Sequence, residues 1–164
     1  MSNDMNFFTA SAEVAQMRDL DVEGMKLVYR LECSGEDFYN ELADRIDNAE
    51  AAELFRRNGR EELGHAKRIA RAIAAKLETD FEPSGDMLER FAIPLPDEIS
   101  LDLLPEIVKA EIQGDAGYQA WADREPNEEV ARLLRLNGRE ETGHAKRVNE
   151  AIAILEASAA ARAS

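Results

Sequence analysis

The chain has 164 residues, 45% apolar but only 6% aromatic, enough for one domain with a sizeable core. Its formal net charge of −14 speaks against nucleic acid and anionic membranes as partners, since both need a basic face, and an acidic surface gathers cations instead. A single cysteine, Cys33, rules out an internal disulfide and fits a reducing compartment.

The N-terminus MSNDMNFF has no basic start followed by an apolar run, so no secretory signal is expected and the location reads as cytoplasmic. No run of about 18 apolar residues offers a membrane span. Residues 11–18 read as a short amphipathic lead helix after Ser11, and the apolar Phe7, Phe8, Val14 and Met17 around it suit a homodimer interface. The first long helix starts at the N-cap Asp21 and runs to about residue 46. Its inward stripe is Met25, Val28, Glu32, Gly35, Tyr39, Leu42 and Ile46, the alternating three-four spacing of a bundle helix. Asp47–Asn48 turns the chain into a second helix, 49–78, with Leu54, Asn58, Glu62, His65, Ile69, Ile73 and Leu77 inward.

Residues 79–98 carry three prolines and one glycine and read as a crossover. A helix of about 26 residues is about 40 Å long, and an extended chain covers that in about a dozen residues. The segment can therefore travel the length of a bundle. A third helix begins after Ser100 or at Pro105, with Leu104, Ile107, Glu111, Gly114, Tyr118 and Trp121 inward. A fourth, 127–158, is capped by Asn127 and turns Val130, Leu134, Asn137, Glu141, His144, Val148, Ile152 and Leu155 inward; the tail ASAAARAS is expected to fray. The whole reads as one all-α domain, 1–164: repeat 1 over 21–78, crossover 79–98, repeat 2 over 99–158. Two helical hairpins joined by one long crossover make a ferritin-like four-helix bundle.

The repeat carries the chemistry. NGREELGHAKR at 58–68 recurs as NGREETGHAKR at 137–147, with Leu63 against Thr142 the single difference. It pairs Glu62 with Glu141, His65 with His144, and, at the same offset upstream, Glu32 with Glu111 and Tyr39 with Tyr118. Glu-x-x-His puts both groups about 60° apart on one helix face, within reach of one cation. Four carboxylates in an apolar stripe would repel one another and resist burial. Four negative charges and two neutral imidazoles balance two divalent cations with nothing left over, which favours two metals over one. Carboxylate and imidazole donors suit iron first, with manganese or zinc as alternatives.

Tyr39 and Tyr118 each follow a glutamate of this set by seven and are read as donors to a ligand carboxylate, against the plainer role of core aromatics. Asn58 and Asn137 either support the ligands or bridge helices. Gly35 and Gly114 are read as leaving a cavity where a small oxidant meets the metals, against close helix packing. Cys33 reads as a buried filler.

At these residues the chain resembles the rubrerythrin branch of the ferritin-like di-iron carboxylate proteins. The resemblance covers roughly residues 20–157, and its specific parts are the two E-x-x-H repeats with GHAKR. It implies Glu32, Glu62, His65, Glu111, Glu141 and His144 as ligands of two iron ions, with Glu62 and Glu141 bridging and Tyr39 and Tyr118 near the centre. Two departures stand out: these residues hold no four-cysteine rubredoxin-like module, and Gly114 occupies a place where the family often has an extra carboxylate. Asp115 and Glu36 lie one position further on, about 100° around the helix. The expected function is a non-haem di-iron oxidoreductase that reduces peroxide or O2 and is re-reduced by a separate electron-donor protein. The alternatives are an iron-binding ferroxidase without peroxidase turnover and a structural metal-binding bundle.

Overall fold

The computed structural model describes residues 5–164; residues 1–4, the start of the stretch read for a secretory signal, lie outside it. Five helices follow in order: α1 (Phe7–Ala15), α2 (Val22–Asp44), α3 (Ala49–Leu77), α4 (Leu104–Arg124) and α5 (Glu128–Ala163). Two short 3-10 turns, Gly85–Leu88 and Leu101–Leu103, break the crossover and lead into α4. Among the described residues there are no strands, and no helix is long and apolar enough to cross a membrane.

Local chemistry sets these boundaries. The side chains of Asp21, Asn48 and Asn127 accept from the first backbone N–H groups of α2, α3 and α5. Pro105 sits in the first turn of α4, where a missing N–H costs nothing. α1 begins before its expected start after Ser11. Asn6 caps Phe8 and Thr9, Thr9 returns a bond to Asn6, and Ser11 bonds back to the Phe7 carbonyl inside the helix. α2 stops at Asp44, two residues short of the expected end. The tail expected to fray is helical through Ala163, since its alanines are strong helix formers and no breaker interrupts them.

α2 with α3 and α4 with α5 form antiparallel hairpins, and α3 packs along α5. The hairpins close tightly where the repeat has Gly59 and Gly138. A Cβ on Gly138 would lie 2.7 Å from Asp115 Oδ1, and one on Gly59 3.2 Å from the Glu36 carbonyl. The core is split into two apolar clusters. One, at the start of α2, gathers Met25, Val28, Ile69, Ile73, Trp121 and Leu134; the other gathers Phe38, Leu42, Phe55, Leu104, Val148 and Leu155. Two residues leave the expected stripe of α3: Phe55 takes the core place expected of Leu54, and Leu77 is exposed. The polar belt described below lies between the clusters.

The crossover travels from one cluster to the other, with Phe81 and Met87 against the first and Ile93, Leu95 and Ile99 against the second. Along the way Phe91 N–H donates to Ser34 Oγ at 2.9 Å, and the Arg30 guanidinium lies 3.9 Å above the Phe91 ring. The architecture is a ferritin-like helical bundle. One face stays open: α2 and α4 stand apart, and α1 lies across the gap between them. Phe7 stacks on Phe38 of α2 at one end of α1 (4.9 Å between ring centroids), while past its other end the Met17 carbonyl accepts from Trp121 Nε1 of α4 at 2.8 Å.

Candidate metal centre

All six residues singled out as ligands are buried at mid-bundle, no more than 9% exposed. They form two overlapping pockets. Glu32, Glu62, His65 and Glu141 bring one donor atom each within 4.8 Å of one another, and so do Glu62, Glu111, Glu141 and His144. Glu62 and Glu141 belong to both. Glu62 turns Oε2 to His65 Nδ1 (3.3 Å) and Oε1 to His144 Nδ1 (3.4 Å); Glu141 turns Oε1 to His65 Nδ1 (3.3 Å) and Oε2 to His144 Nδ1 (3.5 Å). The outer carboxylates serve one pocket each, Glu32 Oε2 at 3.5 Å from His65 Nδ1 and Glu111 Oε2 at 3.7 Å from His144 Nδ1. The two imidazoles lie nearly parallel, 5.2 Å apart.

The Nδ1 atoms provide a direct test of whether a cation fits. Each is buried and near three carboxylate oxygens, yet neither makes an aligned hydrogen bond. A nitrogen that aims between three oxygens, rather than at one, shares a focus with them, as donors to a common ion do. The donor set, oxygen and imidazole without thiolate, suits iron, manganese or zinc.

Protonation in the metal-free chain tells the same story. Burial and then the Glu62 charge push Glu32 up to about 8. Burial and the Glu141 charge push Glu111 well up. Burial and the Glu141 charge also act to raise Glu62, but the neighbouring His144 and His65 outweigh them and bring it to about 2. Burial acts to raise Glu141 as well, but Glu111, His144 and His65 beside it prevail and hold it well below its usual value. Burial acts to lower both histidines, and the surrounding carboxylates overcome it, taking His144 to about 12 and His65 well above its ordinary value. Protons on Glu32, Glu111, His65 and His144, the four groups that their surroundings raise, would make the cluster neutral. Two divalent ions in place of those four protons leave it neutral again.

Tyr39 donates to Glu111 Oε1 and Tyr118 to Glu32 Oε1, so each tyrosine crosses to the opposite hairpin. Burial, then the charge of that same glutamate, raises both phenols and keeps them donors. Asn58 Nδ2 donates to the His144 carbonyl and Asn137 Nδ2 to the His65 carbonyl, both at 3.2 Å, so this pair bridges α3 and α5 at the histidines.

Sequence reasoning passed over a further layer. His65 Nε2 lies 3.0 Å from Glu140 Oε2, and Arg68 grips Glu140 with two bonds of 2.8 Å. On the other side Glu61 Oε2 lies 3.3 Å from His144 Nε2, without hydrogen-bond alignment, and Arg147 holds Glu61 at 2.5 Å. Arg68 and Arg147 also reach Asn137 and Asn58. All of these lie inside the repeated segment, so its near-identity was the available signal.

One expectation changes, the cavity beside the two glycines. Gly35 is packed, not open, on its core side: a Cβ there would meet Glu62 Cγ and Cδ at 3.1 Å. Gly114 is looser, with Glu141 Cγ at 3.6 Å, and both glycines still border the cleft between α2 and α4. Asp115 accepts from Thr142 Oγ1 at 2.6 Å and Glu36 pairs with Arg90 at 3.3 Å, so neither carboxylate joins the pockets. The Leu63/Thr142 difference in the repeat is thus used to hold Asp115. Cys33 is buried, and burial raises its thiol.

A ferritin-like bundle with two carboxylate–histidine pockets sharing two glutamates defines a class, the candidate di-metal carboxylate proteins. Within it, the rubrerythrin family model matches residues 23–97, and the chain is a rubrerythrin-like, ferritin-like protein. The match spans α2, α3 and the crossover; the second hairpin enters the site through the geometry above. No curated protein and no solved structure matches the chain.

Proposed function

We propose that the chain is a non-haem di-iron oxidoreductase that reduces peroxide or O2, with Glu32, Glu62, His65, Glu111, Glu141 and His144 as metal ligands. The observation that carries this reading is the division of Glu62 and Glu141, each with one oxygen toward either histidine. Both glutamates would bridge the ions, and each histidine would serve one. A bound pair of ferrous ions supplies two electrons and polarises an oxidant's oxygen. The protein's part is positional. Tyr39 and Tyr118 hold the outer carboxylates by hydrogen bonds, and Glu140 and Arg68 fix the His65 ring. Re-reduction falls to a separate electron-donor protein, since one cysteine cannot build a thiolate iron centre within these residues.

The test is an anaerobic ferrous titration of stripped protein, followed by one equivalent of peroxide. Two irons per chain, rapidly oxidised by peroxide, are expected, with absorption rising near the ultraviolet edge. Slow oxidation by peroxide with fast oxidation in air would favour the ferroxidase alternative. Glu141→Ala removes a donor common to both pockets and should cost both ions; unchanged iron uptake by that variant would end the ligand assignment.

A further inference from the structure

Under α1, between α2 and α4, lies a cleft of about 950 Å³ whose surface is mainly apolar. Peroxide or O2 does not account for it: two heavy atoms need about twice the roughly 30 Å³ share of one water. The volume is instead at the upper end of the range for organic-ligand sites, about 300–1,000 Å³, whose common pattern is apolar walls with a few convergent polar groups. Here Phe8, Val28, Leu31, Phe38, Ile107 and Trp121 are among the walls, and Glu32, Glu62, Glu111 and Glu141 form the floor. The chain's own α1 already spans this face, tied at Phe7 to the Ala92 carbonyl and at Met17 to Trp121. What remains beneath it is an elongated space rather than a flat surface.

Charge gives the space a direction. Arg18 and Arg124 line one end, and Glu106 lines the other. Arg124 is tied to Asp19 and the Arg18 carbonyl, whereas the exposed Arg18 makes no ion pair among the described residues. The helical part of the cover, Phe7–Ala15, is about 13 Å long at about 1.5 Å per residue, and the chain runs on to Arg18 beyond it, room for a chain of roughly a dozen carbons with bonds of about 1.5 Å.

We propose that this cleft binds a single-chain fatty acid, its carboxylate at Arg18 and Arg124 and its hydrocarbon chain beneath α1, across the floor of glutamates. Binding belongs to the chain itself and needs no metal, so its failure would leave the di-metal reading standing.

Trp121 is the only tryptophan and lines the cleft, so its fluorescence reports occupancy. The probes are dodecanoate and 1-dodecanol below their aggregation limits, added to metal-free and zinc-loaded protein. Saturable, one-to-one quenching or a blue shift is expected with both probes. Gly117 borders the cleft, and a Cβ there would meet nothing within 4 Å. Gly117→Leu should therefore fold, as circular dichroism checks, while filling the space and weakening both probes by about tenfold or more. Arg18→Glu should weaken dodecanoate by about tenfold and leave 1-dodecanol unchanged. The proposal is overturned by no response of Trp121 to dodecanoate, by full-strength binding to Gly117→Leu, or by equal effects of Arg18→Glu on both probes. It also falls if wild type sediments as a dimer, Gly117→Leu as a monomer, and neither takes up probe, since the cleft would then receive a second copy.

Discussion

At the scale of single residues, the two histidines differ in how their outer nitrogens are held. His65 has an aligned partner in Glu140, and that bond together with Arg68 overcomes burial to hold the Glu140 carboxylate near about 2. His144 faces Glu61 without alignment. An Nε2–H fixed by a carboxylate leaves Nδ1 as the free donor toward a metal, and loss of such a partner typically weakens metal binding about 10- to 100-fold. Glu140→Ala should therefore weaken one site of two by that factor, and Glu61→Ala should do less. A Co²⁺ titration, read by the visible bands of each site, measures this. Equal weakening of both sites by Glu140→Ala, or none, would contradict the asymmetry. Glu140 itself was not legible beforehand. In so acidic a chain a glutamate beside a ligand looks like any surface carboxylate; its recurrence as Glu61 in the repeat was the one sign, and its approach to the opposite hairpin's histidine gives that sign its meaning.

At the scale of elements, α2 and α4 play matching parts with unequal tolerances. Both carry an inward glutamate, a glycine three residues later and a tyrosine four residues after that. Yet a methyl at Gly35 would press on Glu62 at 3.1 Å, while one at Gly114 would make ordinary contact with Glu141 at 3.6 Å. Glycine inside a helix costs about 1 kcal/mol relative to alanine. Gly114→Ala should thus raise the stability of metal-free protein by up to about 1 kcal/mol and keep both ions. Gly35→Ala should forfeit that gain and lower metal affinity by displacing a carboxylate common to both pockets. Thermal unfolding and metal stoichiometry on the two variants decide it, and identical behaviour would show that the closer contact carries no strain.

The same elements show what sequence could tell. The four long helices and the crossover were legible because inward positions recur at helical spacing and the second hairpin repeats the first. The six polar residues that the fold brings together were legible because E-x-x-H occurs twice, on the inward stripe both times. α1 was not legible in the same way. Its role as the strap over an open face depends on contacts to helices of different hairpins, and nothing in the repeat corresponds to it. The choice of Phe55 over Leu54 was hidden for a smaller reason: neighbouring positions are about 100° apart, and a wide apolar stripe admits either.

At the scale of the whole molecule, the buried cluster makes stability depend on pH in opposite ways with and without metal. In the metal-free chain Glu32 is raised from 4.5 to about 8 and His144 from 6.5 to about 12, with Glu111 and His65 raised as well. Groups with raised values keep their protons in the folded state after the unfolded chain has lost them. Their contribution is full below the unfolded values and is lost as pH climbs toward the folded ones. Glu62, lowered to about 2, and Glu141, also held well below its usual value, work the other way; their contribution is full above 4.5 and is lost as pH falls. The metal-free bundle should therefore be most stable near pH 4.5 and should weaken as pH rises, through Glu32 and Glu111 first and through the two histidines as well above about 6.5. Each proton retained only on folding is worth about 1.4 kcal/mol per pH unit. The protons of Glu32 and Glu111 alone would lower the midpoint of thermal unfolding by roughly 5 °C or more between pH 6.5 and 7.5. Bound ions replace those protons, so their affinity rises with pH, and with it the stability they add by mass action. Melting midpoints at pH 5, 6, 7 and 8 on stripped and loaded protein should diverge, the stripped form losing ground with rising pH while the ions add more. Parallel curves would mean that the protons and the ions do not compete for the same six side chains.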